Sequence, residues 1–209
     1  MRARLAVLIS GVTVELREIL LRDKPQEFLQ TSVSATVPCL KTPDSAVLDE
    51  SLDIMLWALD KNDPESWLEP QLGSLQEMLD LINWIDGDFK HHLDRYKYSN
   101  RYPVSENEAV IDHRAEALSC LKTLEERLER HPFLFGGHFT LADAAIAPFV
   151  RQFANTDRDW FDQQLIPNIH KWLFDFMEST LFTKIMGKRA PWVPGTNGIL
   201  FSADHPLAA

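Results

Sequence analysis

The sequence predicts an α/β plus all-α protein, with a small mixed domain over residues 1–60, a linker over 61–70, an all-helical domain over 71–190 and an irregular tail over 191–209. Three observations carry this reading. The first sixty residues mix helical and strand-like periods. Asp60 to Pro70, with Asn62-Asp63-Pro64 and Pro70, has the composition of a linker. Beyond it every periodic segment repeats at helical spacing.

In chain order, Arg2 to Ser10 places Leu5, Leu8 and Ile9 on one helical face, and Gly11 is a natural C-terminal stop. Val12 to Leu21 alternates, with Val14, Leu16, Ile19 and Leu21 among charged neighbours, as a strand does. Pro25 can open a short helix through Leu29, because its fixed φ suits a first turn. The loop Ser32 to Thr36 then leads into Val37-Pro38. Proline lacks the N–H that a central strand needs, so Pro38 marks a strand entry or a cis turn. A cis turn would leave the Val37 N–H and C=O free to pair with an extended, peptide-like ligand.

Leu40 and Val47-Leu48 flank the turn-rich Thr42-Pro43-Asp44-Ser45, which makes them an antiparallel hairpin. Ser51 to Leu59 carries Leu52, Met55, Leu56 and Leu59 at helical spacing. The first turn of that helix offers unpaired N–H groups and partial positive charge to a carboxylate, and the Ser51 hydroxyl adds a donor. Glu50 beside it can receive an ammonium. A ligand with a peptide backbone, a carboxylate and an amino group suits the set.

In the helical part, Leu72, Leu75, Leu79, Ile82, Ile85 and Phe89 form one stripe, and Leu118, Leu121, Leu124 and Leu128 part of another. Capping boxes are predicted at Ser105 with Glu108 and at Thr140 with Asp143. Pro148 should loosen the helix that Thr140 opens, by removing one hydrogen bond. Ile166 to Met177 and Thr180 to Met186 read as two final helices, and Pro191 to Ala209 as irregular.

The totals exclude several functions. A net charge of -10 and a pI near 5.1 argue against a nucleic-acid surface and give no support to membrane attraction. The opening Met1 to Ile9 imitates a signal peptide without a following cleavage site, and no run is long enough to span a bilayer. Two cysteines, Cys39 and Cys120, build no disulfide framework and point to a reducing, cytoplasmic compartment. Cys39, in a strand position, reads as packing rather than as a nucleophile, and Cys120 as core. His91-His92 with Asp94 lacks a third or fourth ligand at useful spacing, so it reads as a solvated helix end and no metal is expected. His138 and His170 read as structural. Trp57, Trp67, Trp84, Trp160 and Trp172 read as core or inter-domain contacts, some of them candidates to wall an acceptor pocket.

Val37-Pro38-Cys39-Leu40, Asp49-Glu50-Ser51, Phe139-Thr140-Leu141-Ala142-Asp143 and Pro148-Phe149-Val150-Arg151-Gln152-Phe153, in this order and at these separations, give the chain its family likeness. It resembles a cytosolic glutathione S-transferase over residues 1 to about 190. The resemblance implies a thioredoxin-like domain joined to an all-helical one. It implies glutathione as co-substrate, a small electrophilic or disulfide substrate, and a homodimer. Val37 would bond the cysteinyl backbone of glutathione, Pro38 would be the cis-proline, and Glu50 and Ser51 would hold the γ-glutamyl end. Lys24, directly before Pro25, would meet the glycyl carboxylate as in cysteine-type, omega-like members. Lys24 to Val37 and Val37 to Glu50 are both 13 positions apart, as in those members.

The sequence departs from that pattern twice. Val33 and Ala35 stand where the family has a proline and a glycine. The family's first strand and its catalytic residue, commonly a Cys-Pro-aromatic-Ala cysteine in this subgroup, have no counterpart before Arg2-Ala3-Arg4-Leu5. No residue of the chain is therefore expected to be catalytic. The domain is expected to be a truncated, three-stranded remnant or a rearranged one, from a start placed at an internal methionine or, less favoured, a natural truncation. The reading is a glutathione-dependent transferase or thiol transferase in its complete form, weak or inactive as given. The alternative is a non-catalytic binding module of the same fold in a protein assembly.

Overall fold

A computed structural model describes residues 1–102 and 111–207. Two compact units are formed, Met1–Ser66 with Met177–Ala209, and Trp67–Phe176.

In the first unit, α1 (Arg2–Ser10) ends at Gly11, whose φ of 70° is the left-handed conformation that stops a helix. Leu5, Ala6, Val7 and Leu8 of α1 are buried, and α1 packs chiefly on α3 (Ser51–Lys61), which buries Ile54, Met55, Ala58 and Leu59. Asn62 Nδ2 closes the pair by donating to the Ser10 carbonyl at 2.9 Å. Each fully buried Leu, Ile or Met contributes about 1.5–3 kcal/mol, so this helix pair is the main core of the unit.

The strand predicted over Val12 to Leu21 is paired only over β1 (Val14–Leu16). Half-burial does alternate from Val12 to Glu18, so the period-two reading was sound while the length was not. The partner sets the limit. β4 (Ile199–Phe201) is three residues long and pairs antiparallel with β1, Val14 opposite Phe201 and Leu16 opposite Ile199. The tail expected to be irregular is thus a structural element. Trp192 N–H donates to the Glu18 carbonyl at 2.7 Å, and Phe201 and Leu207 are each 1% exposed. The helical domain expected to reach residue 190 gives up its last helix as well, since α10 (Thr180–Met186) belongs to the first unit and touches α1.

The predicted hairpin is present as β2 (Leu40–Lys41) and β3 (Val47–Leu48), with Leu40 opposite Leu48. Among the described residues β1–β4 and β2–β3 are separate two-stranded sheets, so the expected three-stranded sheet is not formed by them. Between them, α2 spans Gln26–Thr31, starting after Pro25.

The second unit begins with α4 (Leu75–Trp84), capped by Ser74, whose hydroxyl takes the Glu77 N–H at 3.2 Å. Leu72 precedes that cap and is 43% exposed, so the predicted stripe starts too early, and Met78 and Leu81 fill the core beside Ile82. A π turn, Ile85–Phe89, runs into α5 (Lys90–Lys97) and keeps Ile85, Phe89 and Leu93 buried. The capping box expected at Ser105 and Glu108 lies outside the described residues. Within them α6 (His113–Leu128) is capped by Asp112, whose Oδ1 takes the N–H of Arg114 and Ala115, each at 3.1 Å.

The helix α7 (Leu141–Ala154) starts at the predicted Thr140–Asp143 capping box. It runs unbroken through Pro148, because burial on nearly every side holds it where one lost hydrogen bond would not break it. Phe153 on α7 sits 5.6 Å from Phe89, 5.6 Å from Tyr96 and 5.9 Å from Trp160, ring centre to ring centre. A short α8 (Arg158–Phe161) and α9 (Pro167–Glu178) complete the unit, with Glu125 of α6 accepting the N–H of Asn168 and Ile169 at 3.0 and 2.9 Å.

The fully buried Asp143 organises this packing. Its Oδ1 accepts from Leu134 N–H at 3.0 Å and from Trp172 Nε1 at 2.9 Å, and its Oδ2 from the Thr140 N–H at 3.0 Å and hydroxyl at 2.8 Å. Burial pushes its carboxyl above the usual carboxylate range, against the pull of those four donors.

Candidate functional site

The residues singled out in the first unit come from three segments. The Val37–Pro38 peptide bond is cis, and Val37 is 45% exposed. No hydrogen bond among the described residues engages the Val37 N–H or C=O. A polar backbone edge therefore faces solvent, able to pair with another chain.

The loop that presents this edge is held by its neighbours on both sides. Lys24 Nζ donates to the Ala35 carbonyl at 2.9 Å. Asp49 Oδ2 accepts the Ser34 N–H at 3.1 Å, and the Ser34 and Thr36 hydroxyls bond each other at 2.6 Å. Through these two bonds Lys24 reaches Ala35, two residues before Val37, and the neighbouring Ser34 is tied to Asp49, directly before Glu50-Ser51. The Ser34 N–H, with help from Ser32 and Cys39, holds the Asp49 carboxyl below its ordinary range. Asp49 is thus an anion that fixes the loop. Lys24 clasps the loop too, where the sequence reading gave it only a ligand carboxylate to meet.

Ala35 has φ 52°. The position where the resemblance expects glycine does adopt the left-handed conformation, and an alanine holds it at some strain.

Glu50 is exposed and stands at the N-cap of α3, its side chain making no cap bond. The first bond of that helix runs from Ile54 N–H to the Glu50 carbonyl at 3.1 Å, which leaves the N–H groups of Ser51, Leu52 and Asp53 without partners inside the helix. Ser51 is half-buried at the first helical position. The arrangement presents donors for a carboxylate, an acid for an ammonium and a free backbone edge for a peptide, which fits a tripeptide with those groups.

Neither thiol is set up as a nucleophile. Burial and the Asp49 carboxylate push Cys39 up to about 11, leaving roughly one thiolate in 10⁴ at neutral pH. Burial, with Asp88 and Glu116, raises Cys120 too. Trp67 packs on Phe139 at 5.3 Å and Trp172 bonds Asp143, so both are structural. His170, expected to be structural, lies 3.0 Å through Nε2 from the Phe161 carbonyl. Two concavities, of about 60 and 450 Å³, are lined wholly by residues of the second unit, and none of Lys24, Val37, Glu50 or Ser51 lines either.

The sequence reading missed one cluster. His91 and His92 do meet a third histidine, His113, brought by the fold rather than by spacing. No helix among the described residues is long and apolar enough to cross a membrane.

Comparison with known proteins agrees with both units. Residues 1–67 match the family model "Glutathione S-transferase, N-terminal domain", and residues 65–173 match "Glutathione S-transferase, C-terminal domain". Elongation factor 1-gamma 1 of Oryza sativa subsp. japonica is 28% identical over 208 residues, which take in 92% of this chain. The chain spans only 47% of that relative's length. Among solved structures, a glutathione S-transferase III in apo form is 21% identical at a TM-score of 0.68, over 91% of this chain and 93% of that one. A glutathione transferase of Phanerochaete chrysosporium in complex with oxidized glutathione is 19% identical at a TM-score of 0.72, over 88% and 87%. These likenesses establish the fold, a small thioredoxin-like sheet domain with an all-helical domain.

Proposed function

We propose, from the premise that this chain belongs to the glutathione S-transferase family, that it binds glutathione along Val37-Pro38 and the start of α3. In this reading Val37 pairs with the cysteinyl backbone and Pro38 shapes that edge. Ser51 and the free N–H groups of α3 take the γ-glutamyl carboxylate, Glu50 takes its ammonium, and Lys24 meets the glycyl carboxylate while it holds Ala35. The observation that carries the proposal is the unbonded, exposed Val37 edge, fixed by the Lys24–Ala35 and Ser34–Asp49 bonds. The related fungal transferase crystallised with oxidized glutathione supports the choice of ligand.

The second substrate class is a small electrophile or a disulfide, and the working form is a homodimer. Because Cys39 and Cys120 are both held as thiols, the activity proposed for these 209 residues is binding with little turnover.

Calorimetric titration with reduced glutathione tests this. Binding is expected in the range of about 0.1–1 mM. Ser51→Ala and Glu50→Gln each remove a bond to a charged group, worth about 1.5–3 kcal/mol, so each should weaken binding roughly 10- to 100-fold. Heat that is unchanged in both variants would refute the site.

A second reading has its own observation, the 28% identity to elongation factor 1-gamma 1 across 92% of the chain. Here the fold serves as a non-catalytic module in a protein assembly. Absence of any glutathione heat, together with a stable protein complex in pull-downs, decides for it.

A further inference from the structure

We propose that His91, His92 and His113 form a binding site for one divalent cation of the zinc class, joining α5 to the start of α6. The three rings offer one ligand nitrogen each, all within 4.8 Å of one another. His92 Nδ1 and His113 Nδ1 face each other at 2.8 Å across 21 positions of sequence. Ring centres are 5.0 Å apart for His91 and His92, 5.1 Å for His92 and His113, and 5.9 Å for His91 and His113.

Facing nitrogens need something between them. In the neutral rings that is a single proton, since one Nδ1 must donate and the other accept. A zinc ion with nitrogens at about 2.0–2.1 Å in tetrahedral array spaces them about 3.3 Å apart, between the 2.8 Å and 4.8 Å seen here. Ring shifts on the order of 1 Å therefore suffice. The shared proton moves to the Nε2 of its own ring, and His91 Nδ1 exchanges its Arg95 donor for the cation, so binding needs no change in net protein charge. Imidazole suits zinc, copper and nickel, and three protein nitrogens leave a fourth position for water. His91 is exposed and the other two half-buried, so the cation has an entry path.

The surroundings pull both ways. Arg95 Nη1 donates to His91 Nδ1 at 3.0 Å and stacks on Tyr102, setting a fixed positive charge beside the site. The N-terminus of α6 adds to it. Asp88, Asp94 and Asp112 oppose it, as near carboxylates acting on His91 or His113. Asp112 pins the first turn of α6, and with it the His113 backbone.

The test is calorimetric titration of the tag-free, chelator-treated chain with zinc chloride, with cobalt(II) absorption as a second readout of coordination. One zinc per chain is expected. His92→Gln and His113→Gln should each weaken it by at least about 10- to 100-fold, the loss usual for removing even an indirect support of a metal ligand. Arg95→Gln should tighten it, which a merely structural role for the histidines does not predict. Circular dichroism confirms that the variants fold. No uptake up to millimolar zinc overturns the proposal. So does uptake unchanged in both histidine variants, which would assign the metal to Cys39, Cys120 or other surface groups, and so does one zinc per two chains, which would mean a bridge between molecules. None of these outcomes bears on glutathione, so the two proposals stand or fall separately.

Discussion

Replacing Asp143 with asparagine should destabilise the helical unit by about 2–4 kcal/mol. The carboxylate accepts four hydrogen bonds, two on each oxygen, from Leu134, Trp172 and Thr140. A carboxamide keeps an acceptor on one side only. If its oxygen stays with Leu134 and Trp172, its NH₂ group faces the Thr140 N–H, and only the Thr140 hydroxyl can turn to accept from it. One buried backbone N–H is then orphaned, at about 1–3 kcal/mol. The two bonds that remain lose their charge assistance, at about 1 kcal/mol each. Relief of a buried charge offsets part of this sum, since burial already disfavours the ionised form. Urea unfolding followed by both tryptophan fluorescence and far-UV circular dichroism measures the change, and coincidence of the two curves checks that one transition is being read. Hydrogen exchange locates the effect, with protection falling most at the orphaned Thr140 amide and less at Leu134, whose bond is only weakened. A loss below about 0.5 kcal/mol, with those amides still protected, would refute the assignment of Asp143 as the hub.

Three further outcomes are expected. Ala35→Gly should stabilise the first unit by about 0.5–1 kcal/mol, because relief of a left-handed alanine, about 1–2 kcal/mol, exceeds the added freedom of glycine in the unfolded chain; thermal unfolding reads it, and a lower midpoint contradicts the strain at φ 52°. Phe201→Ala should cost about 3–5 kcal/mol while Leu200→Ala on the same strand costs little, since their exposures are 1% and 59%; equal effects in denaturant titrations would mean that the tail does not pack on β1. Alkylation of Cys39 by iodoacetamide should keep rising about tenfold per pH unit up to near pH 11 and level off only there, as its thiolate forms, and a plateau by pH 8 would reopen it as a nucleophile.

Much of the architecture was legible because it is written in short-range chemistry. Gly11 stops α1, the Thr42–Ser45 turn fixes a hairpin, and Thr140 with Asp143 caps α7, each through bonds spanning only a few residues. The cis turn at Val37-Pro38 and the open helix start at Glu50-Ser51 were legible for the same reason, as local signals. Where β1 ends was not legible, because alternation persists from Val12 to Glu18 whether or not a partner strand is there to bond it. Nor was the role of the tail, whose prolines and glycines describe its own backbone and say nothing of the strand it meets 185 positions away, Leu200 against Glu15.

The amino-acid order by itself thus determined where helices start and stop and which residues carry donors, acceptors and charge, since those follow from each residue's own backbone limits and its nearest neighbours. Only the tertiary structure decided what lies across from them. It set Lys24 on the Ala35 carbonyl, Trp172 on Asp143 and His113 against His92, contacts that join positions 11, 29 and 21 residues apart. No periodicity encodes such meetings, because they are chosen by how whole buried faces pack, and the polar groups then take whatever partner that packing delivers.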